Sequence, residues 1–209
     1  MHMISGHSRQ RGLSLVELMI TISLGLLLMA ALTAVFSNTL GVNSRSLQQS
    51  QLNEEANALM ALMTGDLRRA GYRADAELLI TDPAAAITAF DNSITITNYS
   101  GEPANSCISF SYDENKNGLH DGAAENFGYR LQGALVQRRQ SSASCTSNGW
   151  QSLTSTDMVR VTGLTFTLTE RMLDLVNEQV IDVNLQLALA DDPTLTRELS
   201  TQVVIRNAF

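Results

Sequence analysis

The sequence predicts an α+β fold, a long N-terminal α-helix packed against an antiparallel β-sheet head. Two observations lead there. An apolar run from Leu13 to Phe36 passes, without a proline, into a segment whose apolar residues recur at helical spacing as far as Ala70. Beyond Gly71 that period gives way to short stretches alternating apolar and polar residues, the pattern of half-buried strands. At 209 residues and 44% hydrophobic content, the chain has room for one domain plus an anchor rather than two separate cores.

The first twelve residues carry Arg9 and Arg11 and no acid, so the positive-inside rule holds this end in the cytoplasm. Residues 13–36, about 36 Å long as a helix, can span a hydrocarbon layer of about 30 Å. A removable secretory signal is the bland alternative, since Ala30-Ala31 lies where such a segment would be cut. Glu17 argues against it, because a carboxylate inside a membrane helix costs roughly 2.5 to 3.5 kcal/mol and needs a partner to stay there.

Gly12-Leu13-Ser14-Leu15-Val16-Glu17-Leu18 before an apolar run resembles the type III signal of type IV prepilins. The resemblance implies cleavage between Gly12 and Leu13 by prepilin peptidase, N-methylation of Leu13, and Glu17 as fifth residue of the mature chain. It also implies that Glu17 pairs with the amino terminus of a neighbouring subunit inside a filament. Two positions depart from the family pattern: Leu13 replaces the usual Phe, and Ala34 stands where many major pilins carry a helix-kinking Pro. Removing Arg9 and Arg11 takes 14 basic side chains to 12 against 21 acidic, a net charge of about -9. Such a balance disfavours non-specific nucleic-acid binding.

From Ser37 to Ala70, Leu52, Ala56, Leu59, Met63 and Leu67 are spaced by four, three, four and four, which places them on one helical face. Gln48, Gln51, Asn53, Glu54 and Glu55 supply a polar side. Gly71 after Arg68-Arg69 supplies a stop, with the arginines placed favourably against the helix dipole. The stripe reads as packing against the head or as a coiled-coil seam; the strands that follow need cover, which favours the head. The organisation expected is a leader over 1–12, a membrane-spanning half-helix over 13–36, an amphipathic half over 37–70 and a strand-rich head over 71–209.

Residues 72–89 lack a firm period and read as a connection. Period-two segments then occupy 94–98, 107–112, 127–132, 134–140, 158–162, 164–169, 180–189 and 199–206, with Gln132-Gly133 marking a hairpin. They predict one sheet packed on the second half of the helix.

Catalytic chemistry is hard to assemble here. After the leader the only histidine is His120, so neither a nucleophile–His pair nor a two-His metal spacing can be built. No glycine-rich phosphate loop follows a strand, and no enzyme is expected. Cys107 and Cys145 form one disulfide if the head is exported, and stay thiols in a reducing cytosol. One loop has a chemical look: Asp113, Asn115 and Asn117 at alternate positions, Gly118 at the turn, the Leu119 carbonyl, and Asp121 match the first nine places of a calcium loop. The match then fails, because the closing acid would fall at Ala124, with Glu125 one residue late. A calcium site and a polar Asn-Gly turn both fit these residues.

Several stretches together resemble minor pilins of the PilW type: Asp66-Leu67-Arg68-Arg69-Ala70-Gly71-Tyr72, Cys107 before an acidic Asn-Gly loop, residues 126–131, and Cys145 shortly before Gly149-Trp150. The resemblance implies a type IV pilin fold. It further implies an inner-membrane protein, head in the periplasm of a Gram-negative bacterium, that joins other minor pilins and the major pilin to prime pilus assembly at the tip. Within the same class stands a type II secretion pseudopilin; outside it, a tip adhesin or binding module. No cofactor is required, calcium being the one candidate.

Overall fold

The computed structural model describes residues 12, 14–86, 88–173 and 176–206 of the chain. The expected leader and Leu13 therefore lie outside the described residues, apart from Gly12. Two compact units divide at residue 47, one of residues 1–47 and one of residues 48–209. Helix α1, Leu15–Leu67, belongs in part to each.

In the first unit residues 15–47 of α1 are helical and exposed throughout. This stretch contains no proline, and the α1 window of mean hydropathy 2.4 is long and apolar enough to cross a membrane. In the second unit burial on α1 begins at Leu52 and continues through Ala56, Leu59, Met63 and Leu67, the stripe read from spacing. The helix stops three residues earlier than expected. Arg69 and Ala70 N–H groups turn to the carbonyls three residues back, and Gly71, at φ 74°, donates instead to Ser111 O at 2.9 Å. Only a residue without Cβ enters that left-handed conformation freely.

A short helix α2, Leu78–Thr81, and a 3-10 turn, Thr88–Phe90, lie in the connection. The strands follow as β1 Thr95–Thr97, β2 Cys107–Ser111, β3 Asn126–Gln132, β4 Leu135–Arg139, β5 Trp150–Ser152, β6 Val159–Leu173, β7 Val176–Leu189 and β8 Thr196–Ile205. All neighbouring pairs are antiparallel. They make two sheets where one was expected, β1-β2-β3-β4-β5 and β6-β7-β8. Between β3 and β4 the turn residues Gly133 and Ala134 both have positive φ, the twist that a two-residue hairpin requires.

Two expected strands, 158–162 and 164–169, are one. β6 runs through both, with a register shift between Val161 and Gly163. The extra residue explains the misreading: Val159 and Val161 point inward before it, Leu164 and Phe166 after it, so a bulge keeps an odd and an even set on the core face. β5 was not expected at all. The core joins the α1 stripe to Ile108, Phe110, Tyr129, Leu131, Val136, Ile181, Val183, Leu185, Leu187, Val203 and Ile205. Each such side chain, taken fully from water, contributes roughly 1.5 to 3 kcal/mol before entropy is counted.

Candidate functional site

The first candidate is the start of α1. Ser14 opens the helix, its carbonyl accepting Leu18 N–H at 3.1 Å, and Glu17 follows in the first turn. Leu15, Val16, Leu18, Met19 and Ile20 around it are all exposed. Hydroxyls in this stretch are satisfied by their own helix: Thr21 donates to the Glu17 carbonyl, Ser23 to Met19, Thr33 to Met29 and Thr39 to Val35, all at 2.7 to 2.9 Å. The Glu17 carboxylate differs. Among the described residues it has neither an ion-pair partner nor a hydrogen-bond donor. Among the described residues this leaves the Glu17 carboxylate unsatisfied on an apolar surface, and a charge held inside a membrane helix is costly unless paired.

The second candidate is the polar loop before β3, where the structure brings together Asp113, Asn115, Asn117, Asp121 and Glu125. Asp113 is buried, and its carboxylate accepts main-chain N–H bonds from Ala74 at 3.1 Å, Asn117 at 3.2 Å and Gly118 at 2.9 Å. Asn115 Oδ1 accepts Asn117 N–H, and Asn117 Oδ1 accepts Leu119 N–H. Both asparagines turn their NH2 groups to Asp121 Oδ2, at 2.6 and 2.9 Å. Glu125, fully buried, accepts Glu114 N–H at 3.0 Å on one oxygen and Asp121 N–H at 2.8 Å on the other.

The Asp113 and Glu125 oxygens thus accept main-chain donors, Ala74 N–H from outside the loop among them, while the Asn115 and Asn117 amide nitrogens face Asp121. Among the described residues no three acidic, histidine or cysteine side chains converge as a metal-holding group. As arranged, the loop forms linked polar turns in which both Asn amides bond to Asp121.

Two further constellations were missed by sequence reasoning. At the end of α1, Tyr129 donates to buried Asp66 at 2.5 Å, and Arg138 approaches the same carboxylate at 3.6 Å. Burial first, then this bond to a carboxylate, pushes the Tyr129 phenol well above its ordinary range. On β3, Arg130 is buried with its guanidinium over the faces of Tyr99, at 4.8 Å, and Trp150, at 4.6 Å. It donates to Cys145 O at 2.7 Å, Ser147 O at 2.9 Å, Gln137 Oε1 at 2.8 Å and Gln132 Oε1. Burial lowers its affinity for the proton, and four acceptors with two ring faces hold the charge in place of a carboxylate.

The residues that Arg130 clamps lead to the disulfide. Cys107 on β2 is bonded to Cys145 in the loop after β4, with Cα atoms 6.1 Å apart. The sequence marks Arg130 only as part of the 126–131 stretch and gives no sign of its partners, which are two main-chain carbonyls and two Gln amides.

The geometry so far is that of a helix whose exposed apolar half, residues 15–47, carries one carboxylate, Glu17, followed by a disulfide-closed, strand-rich head. Comparison with family models matches residues 45–205 to "Prepilin peptidase-dependent protein B" and residues 7–33 to the prokaryotic N-terminal methylation motif. The chain belongs to the prepilin peptidase-dependent protein B family. It is thereby a type IV pilin-like protein, of a structural family, and residues 15–33 of the methylation motif lie on the helix that is apolar enough for membrane anchoring. Neither the curated proteins nor the solved structures contain a match to the chain.

Proposed function

We propose that this protein is a minor pilin of the PilW type, which assembles with other minor pilins and the major pilin to prime a type IV pilus and resides at its tip. Prepilin peptidase removes residues 1–12, and Leu13 becomes the methylated amino terminus. The mature chain sits in the inner membrane through residues 13–36, with its head in the periplasm. The observation that carries this reading is the lone Glu17 carboxylate on an exposed apolar helix. A neighbouring subunit's amino-terminal cation satisfies it, and the pair sets register as well as energy, since each charge is costly in the bilayer without the other.

The mechanism is assembly without catalysis: the helix docks, and the head selects partners. Deleting the gene and counting pili, secreted proteins and surface attachment tests this directly. Loss of pili, restored by the wild-type chain, is the expected result. Loss of secretion with pili intact identifies a type II secretion pseudopilin instead, and loss of attachment alone identifies an adhesin.

A further inference from the structure

An unpaired strand edge is where another chain can add a strand, and well-behaved sheets keep such edges short or covered. In the five-stranded sheet the outer strands β1 and β5 are three residues each. In the other sheet the outer edge of β6 is held in place: Val161 N–H donates to Ala134 O and Phe166 N–H to Asn105 O, both at 2.9 Å. β8 is not short, and among the described residues no further strand covers it. Its ten residues pair with β7 on one side, and among the described residues no main-chain hydrogen bond reaches its other edge.

Beside that strand runs an open groove of about 600 Å³ lined by Arg68, Gln202, Val204 and Arg206. The last three occupy alternate positions and stand on the face opposite the buried Val203 and Ile205. Val204 is 49% exposed. Among the described residues neither Arg68 nor Arg206 is paired with an acid. Two unpaired cations therefore flank an apolar side chain and a free main-chain edge, in a chain whose net charge is -7. A partner that complements all three features is extended, so that its main chain can pair, and acidic, so that it neutralises the arginines.

We propose that the open edge of β8 is an interaction surface that accepts an extended acidic segment of a partner protein as an added strand. Its main-chain groups bond to β8, and its carboxylates sit on Arg68 and Arg206. This assignment stands apart from the pilus reading and holds for any assembly in which the head takes part.

The test uses the full chain in detergent micelles and fluorescence anisotropy with a labelled decapeptide of alternating Thr and Glu. The expected result is saturable binding, weakened about tenfold by Arg68→Ala or Arg206→Ala, as loss of one charge-assisted contact implies. Binding should disappear when alternate peptide amides are N-methylated, and bound peptide should slow hydrogen exchange along β8. Absence of binding, equal binding of a Thr-Lys decapeptide, or undiminished binding of the N-methylated peptide overturns the proposal. Displacement of the peptide by oligothymidylate with unchanged β8 exchange also overturns it, in favour of a phosphate site. Should either arginine variant unfold, the N-methylated comparison on the unaltered chain still decides.

Discussion

Replacing both cysteines, Cys107→Ala with Cys145→Ala, separates two constraints that meet in one loop. The disulfide spans 38 residues, and constraining the unfolded chain by a loop of that size stabilises the fold by about 4 kcal/mol. For a head of this size roughly 2 to 4 °C of Tm accompany each kcal/mol, so the melting point should fall by about 8 to 16 °C. The folded loop has other anchors. Arg130 holds the carbonyls of Cys145 and Ser147, Trp150 Nε1 donates to Ser144 O at 3.0 Å, and Gln140 N–H donates to Gly149 O at 2.9 Å. The variant should therefore lose stability while its loop stays in place. Guanidinium unfolding of the full chain in detergent, read through Trp150 as the single tryptophan, measures the first effect. Hydrogen exchange over residues 140–149 measures the second. A loss below about 1 kcal/mol would refute the chain-entropy argument. Free exchange across the loop would refute the role given to Arg130, and adding Arg130→Met to the cysteine-free chain should produce that exchange.

Other outcomes follow from single contacts. Because the Tyr129 phenol titrates higher in the folded head than in the unfolded chain, its stabilising effect is complete below pH 10 and declines above it; Tyr129→Phe should remove up to about 1.4 kcal/mol per pH unit from that alkaline slope. Gly128→Ala places a Cβ 2.5 Å from Ile108 O and 3.3 Å from the Trp150 ring, so denaturant unfolding should show a loss of about 2 kcal/mol or more. Calcium added to the full chain should leave its melting temperature unchanged, since the oxygens of Asp113 and Glu125 already accept main-chain donors. A saturable rise, abolished by Asp121→Ala, would instead place the ion among Asp113, Asn115, Asn117 and Asp121.

Local periodicity made α1 and most strands legible, because burial on one face leaves a repeat in the sequence. Leu52 to Leu67 announced a helical stripe, and β8 announced itself through Val203 and Ile205. What periodicity could not carry was non-local. The division into two sheets depends on which edges pair, and β6 was hidden because its bulge at residues 162–163 breaks the alternation on which strand reading depends. β5, three residues from Trp150, offers too short a pattern to read. Among site residues, Glu17 was visible as a charge in an apolar run. The calcium-like spacing of 113–121 was equally visible, yet it describes residues that also form linked turns, and spacing alone does not reveal which way an Asn amide faces. Arg130 was seen only as part of the 126–131 stretch, and its buried role left no signal, since a cation held by carbonyls and ring faces needs no acidic neighbour in sequence.

The central claim is that Glu17 docks the chain among other subunits. Its most direct test is the amount of Glu17→Ala protein, and of Glu17→Gln as the neutral isostere, in sheared pili relative to the membrane, with N-terminal mass measured on both fractions. Both variants should be cut after Gly12 and methylated on Leu13, remain in the membrane and be missing from pili. Incorporation at the wild-type level by either variant would contradict the account.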